Sequence, residues 1–245
     1  MSREPLLPKA RRDAADRLPD SMRKRSFRES LKRNVKPTTA GLFLACVNTG
    51  IINGLAFEST QAWVGFITGS TIQLGMLLPD TRTYGLQDTY KHRGWLAGSF
   101  VLQGATTLVA SALLHFTNAE IENPGSPFAA LPGNIAFGLL AGSMAWQACN
   151  AKPLGTAYQS TVVLTMLWLA LFSDPNLFAA RNSNRNKSLS AIVAAFAGGC
   201  IASAMAKRGA SVAGGLLLSV GLQLTIALCW LFAADDTSDD EDEED

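Results

Sequence analysis

Seven stretches of the chain, about 39–57, 60–78, 94–116, 131–150, 156–172, 188–206 and 211–233, are built almost entirely of apolar and small residues. Each approaches the roughly 20 residues that a helix needs to cross the hydrocarbon of a bilayer. Polar connectors separate them: PDTRTYGLQDTYKHR at 79–93, TNAEIENPGSPF at 117–128 and SDPNLFAARNSNRNK at 173–187. No apolar–polar alternation runs long enough to supply the strands of a barrel. In lipid only a helix or a closed barrel satisfies its own backbone. The pattern therefore predicts an all-α fold, a polytopic membrane helical bundle of about six to seven transmembrane helices.

Charge sharpens this picture because it is segregated. Residues 1–38 hold twelve of the 21 Lys and Arg, and residues 235–245 hold nine of the 20 Asp and Glu. Only fifteen charged residues remain between the two tails, nearly all in connectors. A charge at the centre of a membrane helix costs about 2.5–3.5 kcal/mol on insertion scales, which a soluble core would not require the chain to avoid so completely. Three regions follow: a basic N-terminal segment, 1–38, disordered or lying as an interfacial helix; a transmembrane domain, 39–233; and an acidic disordered tail, 234–245. The first residues lack the short apolar core of a cleavable signal.

The positive-inside rule places the N-terminus in the cytoplasm. With seven spans the tail ends outside, and Arg181, Arg185 and Lys187 lie outside against the rule. If 156–172 enters the membrane without crossing it, six spans remain. That loop and the tail then become cytoplasmic, and the violation shrinks to Lys207 and Arg208. In the basic segment, Asp20 and Ser21 can cap a helix with Phe27, Leu31 and Val35 on one face. Such a helix would lie on anionic lipid, so the expected partners are the bilayer and its anionic headgroups, with no nucleic acid.

The chemistry inside the spans is neutral. Residues 65–76 read GFITGSTIQLGM, dense in hydroxyls and glycines. Hydroxyls can bond back to their own helix, but Gln73 needs protein or water beside it. Similar groups recur as Asn48, Thr49 and Asn53; Gln103, Thr106 and Thr107; Gln147 and Asn150; Gln159, Ser160, Thr161 and Thr165; and Gln223. Glu58, His115 and Lys207 stand only at span ends. A proton relay or voltage sensor needs ionisable groups within the membrane, so these classes are disfavoured. The sequence points to a polar pocket formed by Asn53, Thr68, Ser70, Thr71, Gln73, Gln147, Asn150 and Thr161. Interhelical hydrogen bonding without a pocket, worth about 0.6 kcal/mol per contact, explains the same residues equally well.

Small residues form ladders suited to close helix packing: Ala191, Ala195, Gly199 and Ser203; Ala194, Gly198, Ala202 and Ala206; Gly138 and Gly142; Gly215 and Ser219. Gly199→Leu is the substitution expected to push two backbones apart. Cys46, Cys149, Cys200 and Cys229 are read as small core residues, since none forms a CxxC pair or neighbours a histidine. No Ser/His set, paired carboxylates or metal ligands appear, so neither an enzyme nor a cofactor is expected.

Two segments resemble each other: GLFLACVNTGIIN at 41–53 and GLLAGSMAWQACN at 138–150. Each precedes a hydroxyl-rich apolar stretch, TGSTIQLGMLLPD and TVVLTMLWLALFSDP. Separated by one helix, the copies would run in opposite directions, as in inverted-repeat transporters. The order of Gly50-Ile51-Ile52-Asn53, Thr68-Gly69-Ser70 and Met144-Ala145-Trp146-Gln147 resembles the YoaK-like family of uncharacterised transmembrane proteins, over about 39–233. The resemblance implies a multi-pass membrane protein and no established activity. Asn53, Ser70 and Ala148 stand where that family commonly has Asp, Asn and Asn, and Asn53 removes a charge. Two functions fit: a small transporter or channel for a polar solute, and a non-transporting scaffold. A small polar solute and a second copy of the chain are both compatible partners.

Overall fold

The computed structural model describes residues 27, 29–60, 92–117, 128, 130–151, 154, 164–179 and 181–234. These form six helices: α1 Thr39–Thr60, α2 Arg93–Phe116, α3 Leu131–Ala151, α4 Leu164–Phe172, α5 Ser183–Lys207 and α6 Val212–Leu231. There is no strand among the described residues, only one bridge between Asn34 and His92. The described residues form an all-helical membrane bundle. Four helices, α1, α2, α5 and α6, are long and apolar enough to cross a bilayer. α3 has 21 residues and is about 31 Å long, again a membrane thickness. Of the expected span at 60–78, Thr60 ends α1 and residues 61–78 lie outside the described residues.

Burial is arranged for a lipid solvent. Val101, Leu108, Phe196 and Leu228 are 47–72% exposed, whereas Asn48, Gln103 and Gln223 are 0–2% exposed. In water these large side chains would be left as uncovered apolar surface. In hydrocarbon it is the solvated face.

Pairings between helices fix their directions. A Cβ built on Gly41 would lie 3.6 Å from Trp230 Nε1, and one on Gly215 would lie 2.7 Å from Leu55 Cδ1. α1 and α6 are therefore antiparallel. Ser111 Oγ donates to Ala213 O (2.9 Å), and Arg93 Nη2 donates to Ala233 O (2.7 Å), so α2 is antiparallel to α6 as well. Trp95 Nε1 donates to Asn150 Oδ1 (3.1 Å), which sets the end of α3 beside the start of α2. α5 runs parallel to α1, with Gly50 against Ala195 and Gly198, and Gly54 against Gly199 and Ala202.

The starts of α1, α2 and α5 thus share one end of the bundle, the near end, with the ends of α3 and α6. The chain leaves α3 and enters α5 at that same end, so the stretch between makes no net crossing. α4, nine residues and about 13 Å long, is too short to span. This matches the six-span alternative for 156–172. The N- and C-terminal sides of the bundle also meet: Lys36 N donates to Ala234 O (3.1 Å). Epitope tags at the two termini should consequently show the same protease sensitivity in sealed vesicles. Opposite protection would overturn the topology.

Local chemistry sets the helix ends. Asn182 caps α5, its Oδ1 accepting from Arg185 N (3.0 Å), and its Nδ2 donates to Asp174 Oδ2 (2.7 Å). That cap starts α5 at Ser183, five residues ahead of the expected 188. Ser211 caps α6 by accepting from Gly214 N (2.9 Å). Gly209, at φ +72°, makes the tight turn between α5 and α6 that a side chain would strain.

The small-residue ladders separate in three dimensions. Ala191, Ala194, Gly198 and Ala202 are buried; Ala195, Gly199 and Ser203 are half-buried; Ala206 is exposed. A Cβ on Gly198 would overlap Val47 O and lie 3.0 Å from Gly50 Cα, whereas a Cβ on Gly199 would meet none of the described residues within 4 Å. Gly199→Leu is therefore the wrong probe of this contact, and Gly198 the right one. A Cβ on Gly138 or Gly142 would likewise meet none of the described residues within 4 Å. Of the cysteines only Cys46 is buried; Cys229 is half-buried, and Cys149 and Cys200 are exposed.

The basic segment meets the bundle before residue 39. Residues 29–31 are helical, but Asn34 is in a bridge and Val35 is 3% exposed in the near-end core, while Phe27 is 61% exposed. Phe27, Leu31 and Val35 do not form the stripe of one continuous helix.

Candidate functional site

Two apolar clusters fill the interior. The near-end cluster includes Leu42, Cys46, Leu96, Phe100, Ala191, Ala194, Ile226 and Trp230. The far-end cluster includes Ile51, Leu55, Ala110, Leu114, Leu140, Met144, Ala202 and Leu216. Along α1, the residues between the clusters are Asn48 and Thr49. Along α2 they are Gln103 and Thr107, and along α6, Ser219 and Gln223. All six are buried. A polar layer therefore separates two apolar halves at mid-bundle.

Helix pairing puts these residues at one level. Asn48 lies midway between Gly41 and Leu55, whose partners on α6 are Trp230 and Gly215; the midpoint on α6 falls at Gln223. On α2, a Cβ at Gly104 would lie 3.8 Å from Gln223 Oε1, which sets Gln223 beside the residue next to Gln103. From α3, Gln147 Nε2 donates to Thr49 Oγ1 (3.0 Å) and to Ala45 O (3.3 Å), joining the layer from a fourth helix.

Three of the buried hydroxyls are locally satisfied. Thr49 Oγ1 donates to Ala45 O (2.9 Å), Thr107 Oγ1 to Gln103 O (2.9 Å) and Ser99 Oγ to Leu96 O (2.8 Å). These four- and three-residue returns are how a hydroxyl enters an apolar helix at little cost. The carboxamides differ. Among the described residues, both polar atoms of Asn48, of Gln103 and of Gln223 are buried without a hydrogen-bond partner, as are Ser143 Oγ and Ser219 Oγ. Leaving one such group unmet costs about 1–3 kcal/mol. Six carboxamide atoms at one depth amount to a strongly unfavourable arrangement unless something bonds to them.

The residues expected to form the pocket are distributed differently. Thr68, Ser70, Thr71, Gln73 and Thr161 lie outside the described residues. Asn53 is half-buried, five residues or about 7.5 Å beyond Asn48 along α1. Gln147 reaches the layer, one turn of α1 before Asn53. Asn150 is buried, but its Oδ1 is engaged by Trp95, whose ring also stacks on Trp146 at 6.1 Å. This gives Asn150 a part in fixing α3 against α2. Asn48, Gln103 and Gln223, absent from the expected pocket, are the residues that the fold gathers.

One sequence signal could have selected two of them. Ser99-Phe100-Val101-Leu102-Gln103 and Ser219-Val220-Gly221-Leu222-Gln223 share the pattern Ser-x-x-Leu-Gln. α2 and α6 are antiparallel, so the two serines flank the layer on opposite sides, each one turn from its glutamine.

With charge absent from every expected span, the layer offers only neutral donors and acceptors. It can bind, orient or pass a hydrogen-bonding molecule; general acid–base chemistry would require a titratable group there. Among the described residues no group of His, Cys, Asp and Glu could hold a metal ion.

A family model described as "Protein of unknown function (DUF1275)" matches residues 82–229, more than half of the chain. No curated protein and no solved structure matches.

Proposed function

The chain belongs to the DUF1275 family, proteins of unknown function, and on that premise we propose that it is a small transporter or channel for a polar solute. The carrying observation is the mid-bundle layer in which Asn48, Gln103 and Gln223 are buried with both carboxamide atoms unmet. A membrane protein that only packed its helices would gain by replacing these side chains with apolar ones. Passage of a solute needs no catalytic or cofactor chemistry, and the Thr-Gly-Ser and Met-Ala-Trp-Gln motifs support a kinship with the YoaK-like proteins that they resemble. Asn53, half-buried about a turn and a half further along α1, would extend the same neutral lining.

The two halves are proposed to form an inverted repeat. The antiparallel α2 and α6, each with Ser-x-x-Leu-Gln at its centre, are the supporting feature, since inverted-repeat transporters place their sites where the halves meet. Near the starts of α1, α2 and α5 stand Lys32, Arg33, Lys36, Arg93, Arg181, Arg185 and Lys187, against Lys207 and Arg208 at the far end. By the positive-inside rule the near end and both tails are cytoplasmic, with the basic segment 1–38 held against anionic lipid and the acidic tail 234–245 in solution.

Single cysteines at 103, 147 and 223, with the four native cysteines replaced, test for an aqueous path. Reaction with a polar, membrane-impermeant thiol reagent is expected at 103 and 223. If all three are silent in a folded protein, no water path reaches the layer and a scaffold role takes its place.

A further inference from the structure

The layer selects a class of solute. Resting on the transport reading above, we propose that the site formed by Asn48, Gln103 and Gln223 takes a small uncharged molecule carrying both hydrogen-bond donors and acceptors, of the amide or polyol type, and excludes ions.

Three features carry this. First, a carboxamide presents two N–H donors and an acceptor oxygen with two lone pairs. Three of them give a lining in which donors and acceptors are mixed, and both kinds are unmet in each residue. A molecule with only acceptors, or only donors, would leave half of these groups unsatisfied. Second, no Asp, Glu, Lys or Arg occurs between residues 39 and 57, 94 and 116, or 211 and 234, the stretches that carry the three residues. An ion brought to mid-membrane would meet no countercharge.

Third, α1, α2 and α6 continue unbroken through the layer. A desolvated cation can be held by a ring of backbone carbonyls, and an anion by the free N–H groups of a helix start. Both devices need interrupted helices, because in a continuous helix those groups bond to one another. None of these three helices begins or ends at the layer. Among the described residues of these three helices, side-chain carboxamides and hydroxyls are what remain, and these match a neutral partner. Ser219, 0% exposed with its hydroxyl unmet one turn from Gln223, adds a further neutral group.

The test uses the full-length protein in proteoliposomes. Urea and glycerol serve as neutral probes in a swelling assay; potassium and chloride are followed by electrogenic flux. Wild type is expected to pass at least one neutral probe well above empty vesicles and to pass neither ion. Gln223→Met should lower that rate about tenfold, the factor carried by roughly 1.4 kcal/mol of lost hydrogen bonding. Gln103→Met, measured with it, guards against failure of one variant to fold, and melting curves of both report folding independently of flux. Ion flux without neutral flux overturns the solute class and leaves transport standing. Absence of all flux, together with Met variants that melt higher than wild type, overturns both, because the carboxamides then serve neither solute nor stability. Neutral flux unchanged in two folded Met variants overturns this site.

Discussion

Gly50→Val is expected to abolish the fold of the bundle. A Cβ at Gly50 would overlap Ala195 O and lie 2.9 Å from Ala195 C and 3.0 Å from Gly198 Cα. These are backbone atoms in the middle of a helix and cannot rotate away. Overpacking a core where side chains can adjust already costs about 1–3 kcal/mol. Here α1 and α5 must separate along their length, with Gly54 and Ala202 also losing contact, so the loss should exceed about 3 kcal/mol. That is a large part of the roughly 5–15 kcal/mol that holds a typical domain. Gly198→Val should do the same from the opposite side. Gly199→Val, next in sequence, should melt within a few degrees of wild type, because its Cβ meets none of the described residues within 4 Å. Size-exclusion profiles and melting curves of the three detergent-solubilised variants decide the matter. A monodisperse Gly50→Val protein melting with wild type would mean that the two helices do not meet there.

The neighbouring glycines also mark how far the sequence could be read. Helix positions were legible because the bilayer sets their length and charges bound them. The stretches 94–116 and 131–150 coincide with α2 and α3 to within a residue at each end. Which face of α5 is buried was not legible. Gly198 and Gly199 belong to two rows of equally small residues, about 100° apart around the helix. Choosing between them requires knowing where Gly50 sits on another helix. The stretch 156–172 is apolar enough for a span, but its route depends on its neighbours. The end of α3 beside Trp95 and the start of α5 parallel to α1 return it to the side it left.

The polar layer was legible as chemistry and not as geometry. Asn48, Gln103 and Gln223 are among the sequence's intramembrane polar residues, yet nothing in their spacing aligns them with one another. Asn53 carried the family-like motif and drew attention to one end of α1; the interior selects Asn48, on a more buried part of the same helix. Depth is shared only after α1, α2 and α6 have taken their directions, and those directions come from contacts such as Ser111 to Ala213.

Arg93 is expected to hold the near end closed. It begins α2, and its guanidinium donates to Ser30 Oγ (2.8 Å) and to Ala233 O (2.7 Å), while its backbone N–H donates to Arg33 O (3.1 Å). One side chain thus joins the segment before α1 to the segment after α6, and Lys36 N to Ala234 O runs alongside. Beneath this clasp lie Val35, Leu96, Trp230 and Ala233, all 5% exposed or less. Hydrogen bonds from a charged donor contribute about 1.5–3 kcal/mol each. Arg93→Ala should therefore release residues 29–36 at a cost of about 3 kcal/mol. Trypsin cleavage after Lys32 and Arg33 should then accelerate by at least about tenfold over wild type, while the α1–α5 contact, at the other side of α1, keeps the bundle folded. Arg93→Lys should recover only part of this, because one ammonium cannot present the two-pronged donor set that reaches Ser30 and Ala233 together. Equal cleavage rates in wild type and Arg93→Ala would show that burial of Val35 alone holds the segment, with the guanidinium contributing nothing measurable.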